Sequence, residues 1–292
     1  GTILPMQVLV SGSSGLVGSA LVAALEGAGH AVVRLVRRTP AATEIRLDSG
    51  APEGFDAVVH LAGESIAGRW TAAKKAGIRD SRVQGTSALA TALARTSRPP
   101  KVMVCASAIG IYGDCGDEVL REESAHRSDF LAQVCQQWES ATEPAAWAGI
   151  RVVSLRMGVV LSPRDGALGR MLTPFRMGVG GRIGSGRQWM SWITLDDLVG
   201  VIQHALATDS LRGPVNTVAP NPVTNAQFTR ALGQALHRPT IFPLPAFMVR
   251  LMFGEMGEAL LLGSQRVDCG KLVASGFRFR HPELKPALEA IL

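Results

Sequence analysis

The feature that most constrains this chain is a glycine-rich turn near its start, VLVSGSSGLVGSAL at residues 8–21. Its glycines follow a strand-like run and open a helix-like one. In that context the first glycine permits a tight turn, the second lets a pyrophosphate approach the backbone, and the third lets helix and strand pack closely. A glycine turn without a ligand is the alternative. The pattern predicts a dinucleotide site with contacts at Gly12, Ser13, Gly15, Leu16, Val17 and Gly18.

The first two-thirds of the chain alternates short apolar runs with helical patterns, which is typical of a parallel sheet built from βαβ units. We therefore predict an α/β fold, a Rossmann-like doubly wound parallel sheet with a smaller C-terminal substrate lobe. The sheet domain is expected at residues 6–160, with 192–208 returning to it, and the lobe at 161–191 and 209–292. The expected strands are 6–10, 31–36, 56–61, 101–107 and 151–156, and the expected helices are 16–27, 71–95 and 128–147.

Beyond residue 160 the pattern changes. The stretch to residue 191 is rich in glycine and arginine with little periodicity, so we expect a long loop around a site. Residues 192–206 are expected to form a helix. Residues 246–263 predict an amphipathic helix whose apolar face packs on a core.

Composition excludes several classes of protein. With 47% hydrophobic and 18% charged residues the chain is not disordered. No apolar run approaches the roughly 18 residues that cross a bilayer, so no membrane partner is expected. The net charge of +6 comes from scattered Lys and Arg, which argues against nucleic-acid binding. No secretory leader is seen and the four cysteines form no CxxC pair, so a reduced cytoplasmic protein without a metal site is expected.

The glycine spacing GxxGxxG resembles that of the short-chain dehydrogenase/reductase superfamily, and HLAG (60–63), SAIGIYG (107–113) and WITLDD (192–197) resemble its extended branch. HLAG is expected to line the cofactor through Leu61, Ala62 and Gly63. Arg82, on the following helix, either reaches the cofactor or extends to the surface.

The end of the second strand predicts which nicotinamide cofactor is bound. An NAD-selective site usually has Asp or Glu there, whereas this chain has Val36 followed by Arg37 and Arg38. A guanidinium pairs well with a 2′-phosphate, and one such contact would favour NADP over NAD by about ten- to a hundredfold. We expect NADP(H), with Arg37 as the principal contact and Arg38 in support; two solvated arginines are the alternative.

Enzymes of this superfamily use a Ser or Thr, a Tyr, and a Lys four residues after the Tyr. Ser107 matches the first, but Tyr112 is the chain's one tyrosine and no lysine occurs between Lys101 and Lys271. The missing pair should fall in DFLAQVCQQWE (129–139). With Glu139 as a register mark, Leu131 and Cys135 occupy the two positions; a shift of one residue gives Phe130 and Val134.

A positioned general acid–base contributes about 10²–10⁴ in rate, so three outcomes are open: another group substitutes for the pair, the reaction needs less proton transfer, or there is no turnover. Tyr112, in a loop at the sheet edge, and Glu64, just after HLAG, are candidates beside Ser107. Tyr112 as a packing residue and Glu64 as a helix-entry or salt-bridging group are the alternatives. Cys135 is a weaker candidate, because a Cys on an apolar helix usually acts as a small hydrophobe.

The combination of HLAGESIAGRW, FLAQVCQQWE and the segment from LRMGVVLSPRDG to WITLDDL resembles one group of atypical extended short-chain dehydrogenase/reductases, the epimerase family proteins. The C-terminal segment, PLPAFMVRLMFGEMGEALLLGSQRV followed by KLVASGFRFRHPEL, resembles that group's small domain of unknown function. The group is described as NADP-dependent oxidoreductases or nucleotide-sugar epimerase-like proteins, and it lacks the Tyr and Lys. The resemblance implies NADP contacts at the glycine loop, Arg37, Leu61–Ala62, Arg82 and the GVV segment (158–160), which ends in Val160.

In the extended branch the substrate lies between the sheet and the small lobe, so Gly181–Trp192 is expected to cap that cleft. Arg182 and Arg187 are candidates for binding an anionic group and Trp189 for stacking on a ring, against ordinary solvation. We expect an NADP(H)-dependent oxidoreductase or epimerase-like enzyme acting on a small polar or anionic molecule. The alternative is a non-catalytic NADP(H)-binding sensor or regulator. By analogy with the superfamily, a homodimer is an expected assembly.

Overall fold

The computed structural model describes residues 5–36, 43–46 and 52–292. Its strands are β1 (Gln7–Ser11), β2 (Ala31–Leu35), β3 (Glu44–Ile45), β4 (Ala57–His60), β5 (Val102–Ala108), β6 (Val119–Leu120), β7 (Arg151–Met157), β8 (Val159–Leu161), β9 (Trp189–Met190), β10 (Trp192–Thr194), β11 (Gly213–Thr217), β12 (Val223–Thr224) and β13 (Arg266–Val267). Its α-helices are α1 (Leu16–Gly27), α2 (Ala72–Ala94), α3 (Phe130–Ser140), α4 (Glu143–Trp147), α5 (Gly166–Arg176), α6 (Leu195–Ala207), α7 (Asn225–Leu236), α8 (Ala246–Gly257), α9 (Gly270–Ala274) and α10 (Leu284–Ile291).

The large sheet has the order β11-β7-β5-β4-β1-β2-β3, and its strands are parallel. The chain starts at β1 near the middle and builds outward in both directions, so the strand order reverses beside β1. Ser11, the last residue of β1, lies between Leu35 of β2 and His60 of β4. In open parallel sheets, ligands bind at the carboxyl ends of the strands at such a reversal. The predicted doubly wound, Rossmann-like α/β fold is confirmed.

Helices cover both faces of this sheet. On one face, Leu21 and Leu25 of α1 pack with Ile202 of α6 against buried valines of the central strands. On the other face, Leu93 of α2 and Trp138 of α3 pack in a second core. Strands covered on both faces must be apolar nearly throughout, and β4 is buried at each of its four positions.

Side-chain caps explain where several helices begin. Thr71 accepts a hydrogen bond from the Lys74 amide at the start of α2, and Asp129 accepts one from Ala132 at the start of α3. Thr194 caps α6, and Thr224 forms a reciprocal capping box with Gln227 at α7. Helix α1 is different, because its N-cap is Gly15 and no side chain caps it.

Several predicted element boundaries were wrong. Residues 192–194 form strand β10, which pairs with β8, before helix α6 begins. The region expected to be loop contains helix α5. The single helix expected over 128–147 is two, α3 and α4, separated by Ala141 and Thr142.

The C-terminal part has a core of its own. Leu168 and Phe175 of α5 pack with Phe228 of α7 and Leu288 of α10. Strand β11, however, pairs with β7 over Gly213–Thr217 and so belongs to the large sheet, although it lies beyond the predicted boundary at residue 209. Periodicity shows that a segment is a strand but not which sheet it joins, since that depends on distant hydrogen-bond partners.

Candidate functional site

The glycine turn after β1 is shaped by backbone contacts. Gly12 has φ 70°, and a Cβ there would lie 2.7 Å from the Leu61 carbonyl carbon and 2.8 Å from the Ala62 nitrogen. A Cβ on Gly18 would overlap the Gly12 carbonyl oxygen. Gly15 is different: it is exposed, and the nearest atom to its Cβ position, the Gly12 oxygen, is 3.4 Å away. The fold therefore requires glycine at positions 12 and 18. Gly15, by contrast, leaves open space on the outer side of the turn, the side that faces away from the protein interior.

That outer side lies at the start of α1, where, among the residues that the structure describes, no side chain caps the first turn of amides. Uncapped helix amides suit an anion such as a pyrophosphate. Ser13 and Val17 belong to this turn. Leu16 and Val160 lie on its flank, because a Cβ on Gly166 would be 3.6 Å from Leu16 Cδ2 and 3.9 Å from the Val160 oxygen. The open space at Gly15 and the free amides fit the phosphates of a dinucleotide.

The HLAG segment follows β4 and contacts the glycine turn through Leu61 and Ala62. A Cβ on Gly63 would lie 3.2 Å from Arg82 Cζ. The Arg82 guanidinium lies over the Trp138 ring at 5.0 Å and donates to the Ile78 carbonyl at 3.0 Å. Burial lowers the pKa of Arg82. The structure thus brings this cation to the HLAG segment rather than to the outer surface.

Arg37 and Arg38 lie outside the described residues. The described part of β2 ends at Leu35, which is paired with Ser11 directly before the glycine turn. Their assignment to the 2′-phosphate remains a prediction from the sequence.

Ser107, near the end of β5, belongs to a charged network. Its Oγ donates to Glu139 Oε1 at 2.7 Å. Arg156 Nε donates to the same oxygen at 2.8 Å, and Arg156 Nη2 donates to Oε2 at 2.9 Å. Ser107 and Arg156 are buried and Glu139 is largely so. A carboxylate paired in this two-pronged way is fixed in position beside the serine hydroxyl.

Tyr112 occupies the far side of the same network. Its hydroxyl donates to Asn216 Oδ1 at 2.7 Å and accepts from Arg156 Nη1 at 2.9 Å. The side chain is fully buried, and burial raises the pKa of Tyr112 to about 12. This placement favours the packing interpretation of Tyr112 over a role as acid or base, because Asn216 and Arg156 already occupy its hydroxyl.

Glu64 also has protein partners of its own, both on helix α2. It is exposed, and its Oε1 pairs with Lys74 Nζ at 2.6 Å, while its backbone amide donates to Ser81 Oγ at 3.0 Å. Both contacts tie the segment after HLAG to helix α2. They favour the salt-bridging interpretation of Glu64 over a catalytic one.

The helix that lacks the Tyr and Lys presents apolar groups to the loop after Ser107. A Cβ on Gly110 would lie 3.5 Å from Leu131 Cβ and 3.9 Å from Cys135 Sγ. Phe130 instead packs edge-on against Trp70, with ring centroids 5.2 Å apart. The geometry thus favours Leu131 and Cys135 as the residues in the two vacant positions. Burial raises the pKa of the Cys135 thiol to about 12, so it is not a ready nucleophile.

The residues predicted to touch a substrate lie on the C-terminal side. Arg182 and Arg187 are exposed. Trp189 donates from Nε1 to Asp117 Oδ1 at 2.8 Å, and the Arg266 guanidinium covers its ring at 4.4 Å. One face of the indole is therefore occupied, which weakens the stacking assignment for that face.

Sequence reasoning did not identify Glu139 as the partner of Ser107 and missed Arg156 altogether. A signal for Arg156 was present, since it lies in the otherwise apolar strand RVVSLR, where an unpaired buried charge would be costly. Glu139 appeared only as a register mark. Its partnership with Ser107 joins residues 32 positions apart, which no local pattern reveals.

A second buried network supports the end of β4. His60 contacts Ser11 Oγ at 2.6 Å and Thr86 Oγ1 at 2.9 Å, and Trp138 Nε1 donates to the same threonine oxygen at 2.9 Å. His60 is buried, and burial lowers its pKa from 6.5 to about 4. The folded state therefore holds a neutral imidazole over a pH range in which the unfolded state becomes protonated.

His60 predicts an acid-sensitive stability. Above pH 6.5 the imidazole is neutral in both states; between pH 6.5 and about 4 only the unfolded state gains the proton, so stability falls as the pH falls. The full loss is about 3 kcal/mol, and about 2 kcal/mol is expected between pH 7 and pH 5. Urea unfolding at both pH values, compared with His60→Asn, measures this; an identical pH dependence in the variant contradicts it.

Within the part of the chain that the structure describes, no group of three or more His, Cys, Asp or Glu is arranged to hold a metal ion. Among the same residues, no helix is both long and apolar enough to span a membrane.

Fold and site together define a Rossmann-like NAD(P)-binding epimerase fold. Residues 8–217 match the NAD dependent epimerase/dehydratase family, and residues 244–291 match a domain of unknown function, DUF1731. The chain belongs to the NAD dependent epimerase/dehydratase family, and the resemblance to epimerase family proteins, with their small C-terminal domain, is confirmed.

Similar proteins span nearly the whole chain. Epimerase family protein Mb2239 of Mycobacterium bovis is 47% identical over 290 residues, 96% of this chain and 96% of that protein. Epimerase family protein YfhF of Bacillus subtilis is 35% identical over 299 residues, 98% of each. The crystal structure of human epimerase family protein SDR39U1 (isoform 2) with NADPH superposes with a TM-score of 0.92 at 37% identity, covering 98% of this chain and 99% of that one.

Proposed function

We propose that this protein is an NADP(H)-dependent oxidoreductase or epimerase-like enzyme that acts on a small polar or anionic molecule. The observation that carries the proposal is that the dinucleotide turn and the Ser107–Glu139 pair both lie at the carboxyl edge of one parallel sheet. Because ligands of such sheets bind at that edge, a bound nucleotide and a reacting group would be neighbours. The human relative solved with NADPH supports the choice of cofactor.

The cofactor proposal rests on how well the residues around the glycine turn suit a dinucleotide. Gly15 leaves room for a phosphate, the first turn of α1 offers uncapped amides, and Arg82 brings a cation to the HLAG segment. Arg37 and Arg38 are proposed to select the 2′-phosphate by charge. When bound, the nicotinamide would supply the hydride chemistry; the residues of this chain must then manage the proton.

Ser107 and Glu139 are proposed to do so. The Ser107 proton is already donated to Glu139, so the Oγ lone pairs are available to accept a hydrogen bond from a substrate hydroxyl that reaches the end of β5. As that hydroxyl loses its proton to Ser107 Oγ, the Ser107 proton passes to Glu139 Oε1. Arg156 holds the carboxylate in position for this transfer. The pair would thus replace the missing Tyr and Lys without a residue at either position.

Arg182 and Arg187 support an anionic substrate, since both are exposed on the segment proposed to cap the cleft. The four cysteines, Cys105, Cys115, Cys135 and Cys269, are free, which supports a reducing compartment such as the cytoplasm. The rival proposal, a non-catalytic NADP(H) sensor, is favoured by the apolar Leu131 and Cys135 in the positions of the missing dyad.

The test begins with calorimetric titration of NADPH, followed by a screen of alcohols and carbonyl compounds for a change in NADPH absorbance. With any substrate found, Ser107→Ala and Glu139→Gln should each lower kcat by about a hundredfold, because the proton path is interrupted. Ser140→Ala, an exposed serine on the same helix as Glu139, serves as the control and should retain full activity. If millimolar NADPH gives no heat, the cofactor assignment is contradicted. If NADPH binds with the same affinity to the wild type and to Ser107→Ala and no turnover is found, the sensor proposal is favoured.

A further inference from the structure

The C-terminal half carries large apolar side chains on its outside. Leu251, Met177, Ile241 and Phe247 are 77%, 72%, 71% and 66% exposed, respectively. Exposed apolar side chains are ordinary when scattered, but a contiguous group marks a binding surface. We call these four, together with Val179, Phe242 and Met252, the apolar surface.

Contacts show that its two segments lie side by side. A Cβ on Gly178 would be 3.8 Å from the Pro239 side chain, and one on Gly181 would overlap the Phe242 carbonyl. The Leu244 amide donates to the Arg182 carbonyl at 2.9 Å. The loop after α5 therefore runs beside residues 239–244, which lead directly into α8.

Helix α8 continues this surface toward the sheet domain. At its start, Ala246 Cβ is 3.7 Å from the Cβ position of Gly184; near its end, Glu255 pairs with Lys75 of α2 at 2.5 Å. Val249 points inward and is buried, whereas Phe247 and Leu251 point outward. The sequence predicted one amphipathic helix over 246–263 with its apolar face on a core. The observed helix α8 ends at Gly257 and is kinked at Gly254, and most of its large apolar side chains are exposed rather than packed on a core.

The charge beside the loop after α5 is positive, and the acidic residues at the far end of α8 and just after it, Glu255 and Glu258, are paired with Lys75 and Arg250. Residues 166–194 and 237–254 contain no Asp or Glu. Arg170, Arg176 and Arg238 are exposed. Arg170 and Met177 lie seven residues apart and so share a face of α5, and Arg238 Nε donates to the Arg176 carbonyl, which places its guanidinium beside that helix.

We propose that this surface binds the face of an anionic phospholipid bilayer. The protruding side chains of α8 and of residues 177–179 and 241–242 would enter the headgroup–acyl boundary, and the arginines would meet lipid phosphates. This is contact with a membrane surface by a protein whose described helices do not span one. It does not depend on the proposed enzymatic function.

Two other occupants fit less well. A second copy placing the same surface opposite itself would bring like-charged arginines together, which is unfavourable. A partner helix would need a groove to receive it, whereas Phe247 and Leu251 project from α8 into solvent. A bilayer matches both the projecting apolar side chains and the positive charge.

The experiment is sedimentation of the full chain with phosphatidylcholine vesicles made with and without phosphatidylglycerol. We expect binding to the anionic vesicles at least about tenfold tighter than to the neutral ones, weakening as salt is raised. Phe247→Ser with Leu251→Ser should reduce this affinity at least about tenfold, and Arg170→Gln and Arg176→Gln about fivefold each. Trp147→Ser, a 79% exposed side chain on α4 that is not part of the apolar surface, should have no effect.

NADPH titration of each variant keeps the two proposals separate, because unchanged cofactor binding shows that the fold is intact. Absence of vesicle binding, or equal binding by the Phe247/Leu251 double variant, overturns the inference. Sedimentation velocity without lipid gives a further test. If the wild-type chain self-associates and the double variant does not, the surface is a contact between copies and the inference is overturned. Competition by an acidic apolar peptide without vesicle binding would likewise overturn it in favour of a protein partner.

Discussion

Replacing Arg156 with methionine should lower the free energy of unfolding by about 3–5 kcal/mol, because it leaves a buried carboxylate without its cation. Arg156 is 2% exposed and gives two hydrogen bonds to Glu139 and one to the Tyr112 hydroxyl. Methionine fills similar volume but leaves the Glu139 carboxylate without its cation in a largely buried site. The cost arises because a charge removed from water has lost its counter-charge.

Urea or thermal unfolding measures this loss. Arg121→Met is the matched control: Arg121 also pairs with a carboxylate, Asp268 at 3.1 Å, but its side chain is 58% exposed, so less than about 1 kcal/mol should be lost. Adding Glu139→Gln to Arg156→Met removes the stranded charge and should recover more than about 1 kcal/mol. Equal losses in the Arg156 and Arg121 variants would show that the network is not a buried, interdependent unit.

Replacing Gly18 with alanine should abolish nucleotide binding and weaken the fold. The added Cβ would overlap the Gly12 carbonyl oxygen and lie 2.8 Å from Ser13 Cα, both of them backbone atoms that no side-chain rotation can move away. The turn must then shift away from α1. We expect a loss of about 3 kcal/mol in stability and at least a hundredfold in NADPH affinity, since a displacement of about 1 Å can cost that much.

Variants at two other glycines separate the loss of stability from the loss of NADPH affinity. At Gly15 the nearest protein atom to the Cβ position is 3.4 Å away, so Gly15→Ala should keep its stability within about 1 kcal/mol yet lose at least about tenfold in NADPH affinity. At Gly27, in the same helix, nothing lies within 4 Å, so Gly27→Ala should bind normally. Calorimetry and thermal unfolding of the three variants test the assignment. Full NADPH affinity in Gly15→Ala would place the phosphates elsewhere.

The elements predicted well were those with strong local signals. Helix α1 was predicted at its observed bounds, because the glycine turn marks its start and Ala31 begins the next apolar run. The strand at 192–194 was missed because its three residues carry no periodicity and are recognised as a strand through their pairing with β8. Helix α5 was missed because glycine, proline and arginine obscure its apolar face, which its burial against α7 reveals.

The site residues likewise fall into those predictable from local spacing and those whose role depends on distant partners. Gly12, Gly15 and Gly18 could be predicted from their spacing because the role expected of each depends on its own backbone. Tyr112 and Glu64 were reasonable candidates from position along the chain, but only their partners show that one is a buried hydrogen-bonding residue and the other a surface salt bridge.

By itself, the sequence determined the parallel sheet, the nucleotide turn at its edge and the absence of a Tyr–Lys pair, since residue type and spacing over a few positions suffice for each. Only the tertiary structure decided that Ser107 faces Glu139, that Arg156 neutralises that carboxylate, and that the apolar residues of α8 point outward. The Tyr112 hydroxyl bonds to a side chain 104 residues away. Contacts of that kind arise from how the elements pack, and local propensity does not encode them.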